Sequence, residues 1–104
     1  MKLIDKIALV TGSSTGIGQA IAIRFAKEGA DVVINYNRTP KGAEEALKEV
    51  EAAGRKGLVI QADLSKTSDV RNLVSKAVEH FGRLDILVNN AGIEVNAPFW
   101  EVTE

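Results

Sequence analysis

Thr11-Gly12-Ser13-Ser14-Thr15-Gly16-Ile17-Gly18 decides the fold of this chain. Just upstream, the apolar run at residues 6–11 is rich in aliphatic and β-branched side chains and predicts a strand. Downstream, Ile17, Ile21 and Phe25 recur every four positions among Ala20, Ala22 and Ala26, which predicts a helix with one broad apolar face. A strand that turns through glycines into a helix brings backbone N–H groups to a helix N-terminus, with no side chain to hold a ligand away. A dinucleotide pyrophosphate needs that arrangement. Here Gly12 is expected to make the tight turn, Gly16 to allow the close approach, and Gly18 to let the helix pack on the strand. A glycine pattern alone also fits a flexible loop, so its weight comes from the strand before it and the helix after it.

Working outward, three more apolar runs fall at residues 31–36, 57–62 and 84–89, and the four runs begin about 26 residues apart. Between the second and third, Pro40 suits a helix's first turn and Ala43, Leu47 and Val50 form an amphipathic stripe, with Glu44, Glu45, Lys48 and Glu49 toward water. Between the third and fourth, Val70, Leu73, Val74, Ala77, Val78 and Phe81 make a longer stripe, with Ser65 or Thr67 as N-cap and Asp69 in the first turn. Each helical stretch stops at a glycine, Gly29, Gly54 or Gly82, where a left-handed cap belongs. Strand and helix alternating at this rhythm imply parallel strands, right-handed crossovers and helices on both faces. The expected fold is half of a doubly wound α/β sheet, four strands in the order 3-2-1-4, with a ligand crevice between the first and fourth strands. Asn89-Asn90-Ala91-Gly92 ends the fourth strand on the far edge of that crevice, although by itself the tetrapeptide also reads as a simple turn.

The chain's 104 residues suit one domain, 1–104, with no room for a separate substrate domain. With 13 Lys and Arg against 14 Asp and Glu the net charge is -1, so nucleic acid is not an expected partner. No apolar run is long enough to span a bilayer, and no membrane role is expected. There is no cysteine to form a disulfide or a thiolate metal site, and residues 1–5 lack the apolar core of a secretory signal, so a cytoplasmic location is expected.

The pattern Thr-Gly-x-x-x-Gly-x-Gly followed by Asn-Asn-Ala-Gly at this distance resembles the classical short-chain dehydrogenase/reductase family over the whole chain. The resemblance implies a Rossmann fold and an NAD or NADP cofactor. It also implies contacts from the loop residues Gly12, Ser14, Thr15, Gly16, Ile17 and Gly18 and from Tyr36 and Arg38 after the second strand. It further implies an adenine contact at Asp63 with Leu64 beside it, and a role for Asn90, Ala91 and Gly92, with Asn89, along the adenine-side ribose. Asp63 also reads as a helix-capping or loop carboxylate. The loop Ser13-Ser14-Thr15-Gly16, the pair Asn35-Tyr36 and the stretch Asn90-Ala91-Gly92-Ile93-Glu94 are similar to bacterial glucose 1-dehydrogenases, which would turn Glu94 toward substrate.

Cofactor choice in such folds turns on the end of the second strand, where a carboxylate binds the ribose 2′-OH of NAD and repels the 2′-phosphate of NADP. Asn35-Tyr36-Asn37-Arg38 holds no carboxylate there; Arg38 offers a fork of donors suited to phosphate and Ser14 adds a hydroxyl, so NADP or dual use is expected. Arg38 also reads as a solvated loop cation. His80 is expected to complement the dipole at the end of the third helix rather than to bind metal.

The family's reaction uses a Tyr with a Lys four residues later. The only tyrosine here is Tyr36, and position 40 is proline, so no catalytic residue carries over. The expectation is therefore the cofactor-binding portion of an NAD(P)-dependent oxidoreductase acting on an alcohol or sugar, inactive by itself and cut off before its catalytic region. The alternative is a stand-alone nucleotide-binding module without catalysis. A homo-oligomer is expected, through the edge of the fourth strand or an apolar patch around Phe99 and Trp100.

Overall fold

The computed structural model describes residues 2–13 and 16–90. Four parallel strands, β1 (Ile7–Val10), β2 (Asp31–Tyr36), β3 (Gly57–Gln61) and β4 (Ile86–Val88), alternate with three helices, α1 (Gly16–Lys27), α2 (Lys41–Ala52) and α3 (Thr67–Phe81). The sheet order is β3-β2-β1-β4, as the sequence rhythm predicts. Val10 pairs with Ile34 of β2 on one side and with Val88 of β4 on the other, so β1 and β4 finish level while β2 runs on to Tyr36.

Alternation along each strand divides the core between two faces. Ala8, Val10, Val32 and Ile34 pack with Ala22 and Ala26 of α1 and Ala43, Ala46 and Val50 of α2. Leu9, Val33 and Ile60 pack on the other face with Leu73 and Ala77 of α3. Both faces of β1 and β2 are covered, so these strands are apolar on both sides, as crossover-connected strands must be.

Several local expectations are corrected. The buried stripe of α1 is Gly18, Ala22 and Ala26; Ile21 and Phe25 are half-buried, and Ile17 is 72% exposed. Small residues let the helix axis approach the sheet, and the larger side chains flank that contact. In α2 the deeply buried residues are Ala43, Ala46 and Val50, with Leu47 only partly covered for the same reason. Pro40 is the N-cap of α2 rather than a residue of its first turn. Neither Ser65 nor Thr67 caps α3: the cap is Lys66, because the Ser65 hydroxyl is spent on Asp63 and Thr67 is already helical. Val78 lies 40% exposed at the margin of its stripe. The glycine stops are as expected, with Gly29, Gly54 and Gly82 all at positive φ.

At the amino ends of the strands, away from the glycine turn, charges take over. Asp31 accepts from Arg55 Nε at 3.2 Å and from the Lys56 N–H at 2.9 Å, and Asp85 accepts from the Ile7 N–H at 2.8 Å and Arg83 Nε at 2.9 Å. Among the described residues no helix is long and apolar enough to cross a membrane.

Candidate functional site

The chain leaves β1 at Val10 and turns at Gly12, where φ is +61°, before entering α1 at Gly16, where φ is +51°. Both values lie in the left-handed region that a side chain disfavours. The glycines then do different work. A β-carbon on Gly18 would overlap the Gly12 carbonyl oxygen and stand 2.7 Å from Asn90 Nδ2, so α1 can rest on the turn only because that position is bare. A β-carbon on Gly16 would meet nothing within 4 Å. Gly18 thus serves internal packing, whereas Gly16 leaves space open to whatever approaches from outside.

Three strands anchor the turn. The Thr11 N–H donates to the Val88 carbonyl of β4 at 3.0 Å, and the Thr11 hydroxyl lies 3.2 Å from that oxygen and 3.3 Å from Asn89 Oδ1. Asn35 of β2 accepts the Gly12 N–H on Oδ1 at 2.9 Å and the Ser13 N–H on its carbonyl at 3.0 Å. Ser13 is fully buried; its hydroxyl donates to the Val10 carbonyl at 2.7 Å and accepts the Asn35 N–H at 2.9 Å. From the segment after β4, Asn90 Nδ2 donates to the Gly12 carbonyl at 3.4 Å, which brings Gly12, Gly18 and Asn90 together, while Gly16 stands clear of them.

An open cleft of about 680 Å³ lies between the amino ends of α1 and α2. It is lined by Gly16 and Gln19 of α1, the loop residues Asn37, Arg38 and Thr39, and Lys41, Gly42 and Glu45 of α2. Gln19 Nε2 donates to the Gly42 carbonyl at 3.0 Å and bridges the two helices. The cleft therefore joins the glycine turn to the end of β2 and brings Arg38, with Lys41 beside it, to the same wall as Gly16. Beyond β3, the Asp63 carboxylate accepts the Ser65 hydroxyl at 2.7 Å and the Ser65 N–H at 3.0 Å. The hydroxyl first and the N–H second hold this carboxyl below the ordinary aspartate range; burial opposes them, and the charges of Lys66 and Arg38 add to the lowering. Asp63 is thus ionised at neutral pH and within electrostatic reach of Arg38.

This donor chemistry fits a dinucleotide. The N–H groups of the first turn of α1 have no acceptor within the helix, the helix dipole favours an anion there, and Gly16 keeps the approach clear. Ile17 is an exposed aliphatic side chain beside them, and Arg38 and Lys41 supply positive charge in the same cleft. Tyr36 ends β2 half-buried, and Leu64 packs partly against the core on the α3 side. Ser14, Thr15, Ala91, Gly92, Glu94, Phe99 and Trp100 lie outside the described residues. Among the described residues no group of acidic, histidine or cysteine side chains is arranged to hold a metal, and His80 instead stacks edge-on against Phe81 at 4.6 Å.

Sequence reasoning missed Asn35, Ser13 and Lys41. A signal existed for Asn35, a polar residue closing the apolar run Val32-Val33-Ile34 in a strand buried on both faces.

The pattern of the short chain dehydrogenase family matches residues 6–104. A hydroxynaphthalene reductase-like protein of Metarhizium majus is 48% identical over 102 residues, which is 98% of this chain and 38% of that protein. A short-chain dehydrogenase/reductase variant of Serratia marcescens superposes with a TM-score of 0.86 at 43% identity, covering 99% of this chain and 42% of its own. A short chain dehydrogenase of Burkholderia cenocepacia, solved in complex with NADP, superposes with a TM-score of 0.86 at 48% identity, again over 99% of this chain and 42% of its own. The chain spans about two fifths of the length of these relatives.

Proposed function

The chain belongs to the short-chain dehydrogenase family, and from that premise we propose that residues 1–104 form the cofactor-binding portion of an NAD(P)-dependent oxidoreductase that interconverts an alcohol or sugar and its carbonyl. The observation that carries the proposal is the cleft that Gly16 and Arg38 line together. A dinucleotide laid along it would meet the first-turn N–H groups of α1 with its pyrophosphate and Arg38 with an adenosine-side phosphate, and the family resemblance assigns its adenine to Asp63, beyond the cleft's own lining. When bound, the dinucleotide supplies the hydride acceptor or donor. The residues of this chain bind and orient it: Gly16 gives clearance, Gly12 and Gly18 fix the turn, Asn90 braces the turn from the segment after β4, and Ile17 offers an apolar surface.

With Arg38 present and no carboxylate at the end of β2, NADP is the preferred form or shares the site with NAD. Within the family, Asn35-Tyr36 and the Asn-Ala-Gly-Ile-Glu stretch favour a glucose 1-dehydrogenase-like substrate, and the name of the Metarhizium relative adds hydroxynaphthalenes to the panel to be tried. A cytoplasmic homo-oligomer is part of the same proposal. A module that binds nucleotide without redox chemistry is the second reading, favoured by the lack of any Tyr-x-x-x-Lys pair in these 104 residues.

Titration calorimetry with NADP and NAD tests the proposal. Saturable binding that Gly16→Val abolishes is expected. Binding of neither cofactor, or an unchanged affinity in the variant, would overturn it.

A further inference from the structure

We infer that Asn35 is a positioning residue that holds the pyrophosphate-side turn and the adenine-side carboxylate of one nucleotide site at a fixed separation; the inference rests on the dinucleotide assignment above. Asn35 stands one residue before the end of β2, is paired in register with Ile60 of β3, and is 1% exposed. Its amide faces two segments at once. Oδ1 accepts the Gly12 N–H at 2.9 Å, while Nδ2 lies 3.3 Å from the carbonyl oxygen of Tyr36 and 3.4 Å from those of Ile60 and Ala62. Ala62 directly precedes Asp63. One buried side chain therefore ties the first glycine of the turn to the backbone that carries the adenine-side carboxylate.

The sense of the amide follows from its partners. Reversed, it would point N–H groups at the Gly12 N–H, leaving that donor without its acceptor, and would set an oxygen against the oxygens of the Tyr36, Ile60 and Ala62 carbonyls. The sheet itself does not need this amide, because the backbone register from Val32↔Gly57 to Tyr36↔Gln61 joins β2 to β3 without it. The Gly12 N–H, by contrast, leaves β1 in a left-handed turn beyond the β1 pairings, and Asn35 supplies its acceptor. The Gly12 and Ser13 N–H groups are then both spent on Asn35. An incoming anion is left to the N–H groups of the first turn of α1, on the side that opens at Gly16. A polar group buried in a two-sided apolar strand is costly unless satisfied. Here the satisfied ends lie in the turn and at the exit of β3, the two segments a dinucleotide must touch simultaneously.

A ligand that spans both segments depends on their separation, and one that touches only the adenine side does not. Asn35→Ala in the full chain is expected to weaken NADP by about tenfold or more, from the unpaired groups it leaves, and to leave adenosine, followed by NMR titration, within about twofold. Asn35→Asp keeps the shape but sets a carboxylate against the Ile60 and Ala62 carbonyls. Its NADP affinity should be low at pH 8 and recover relative to wild type at each lower pH, as protonation of this buried group restores a donor. Equal weakening of NADP and adenosine, or NADP affinity within about twofold of wild type, would overturn the inference. If Asn35→Ala does not fold, the pH profile of Asn35→Asp decides alone, and a flat profile is a refutation. Failure of the wild-type chain to bind NADP is a separate outcome that removes the dinucleotide assignment and this inference with it.

Discussion

The carbonyl oxygen of Gly12 occupies the space that a β-carbon on Gly18 would need, so the first turn of α1 rests directly on the glycine turn. Gly18→Ala must push backbone away from backbone, because the nearest atom is the Gly12 carbonyl oxygen, which a yielding side chain cannot relieve. Overpacking of this kind costs about 1–3 kcal/mol, and Asn90, whose Nδ2 shares the contact, should shift with it. Urea unfolding of Gly18→Ala should show that loss, with NMR shifts at Asn90. Gly16→Ala meets no atom and should cost only the strain of a left-handed residue, about 1–2 kcal/mol, with Asn90 undisturbed. Matching shifts at Asn90 in both variants would contradict this division of labour.

The strand order was legible because four apolar runs of similar spacing admit few right-handed crossover topologies, and the glycine turn marked which strand comes first. The buried face of α1 was not legible. Periodicity ranks Ile17, Ile21 and Phe25 above Gly18, Ala22 and Ala26 by hydrophobicity, yet close approach to the sheet selects for small volume. Of the candidate site, Gly12, Gly18 and Asn90 could be placed together from motif and topology. The anchoring by Asn35 and Ser13 could not, since it depends on which carbonyls a side-chain amide reaches across two strands. The cap of α3 differs for a related reason: the Ser65 hydroxyl turns to donate to Asp63 and accepts from no helix N–H group.

Cofactor selectivity should respond to Arg38. It lines the cleft with Gly16 and is solvent-exposed, so its interaction with a phosphate is partly screened. Arg38→Ala is expected to weaken NADP about tenfold, near the lower end for a hydrogen bond to a charged group, and NAD by no more than about twofold. The NADP loss should shrink as salt is raised. Calorimetry at two ionic strengths checks this, and equal weakening of both cofactors would count against the phosphate role.

Acid should destabilise the fold through carboxyls held below their ordinary values: Asp63 and Asp85, and Glu28, which accepts the Lys2 N–H. Burial pushes the Asp85 carboxyl up, but the Ile7 N–H and the Arg83 guanidinium outweigh it, and the net shift is downward. Asp63 is lowered chiefly by the Ser65 hydroxyl and then by the Ser65 N–H. In each case the folded value lies below the unfolded one, so the stabilisation is fully present above the ordinary aspartate value of about 3.9 and is lost as pH falls through the lowered folded values. Stability from these groups should therefore stay level from neutral pH down to about 5 and decline below about 4. The double variant Asp63→Asn, Asp85→Asn should flatten that acid limb in denaturant titrations, and an unchanged limb would show that other groups control it.

The 104-residue chain alone should show no turnover with NAD(P), although it should bind the cofactor. Oxidising an alcohol by hydride transfer requires the hydroxyl proton to leave at the same stage, and near neutral pH that calls for a positioned base of suitable pKa. The sole tyrosine, Tyr36, is the last residue of β2, and the position four residues later is Pro40, the N-cap of α2. No lysine therefore shares a helix face with its phenol. Losing a general base costs about 10²- to 10⁴-fold, and a cofactor held mainly by its adenosine half forfeits further rate through poor orientation of the reacting carbon. NAD(P)H absorbance should stay flat with glucose, other sugars, simple alcohols and hydroxynaphthalenes at protein concentrations that saturate with cofactor in calorimetry. Contaminating host dehydrogenases are recognised by activity that fails to follow the chain through purification. Turnover that does follow it, and that disappears in Gly16→Val, would mean that these residues contain a proton-transfer group other than the family's tyrosine.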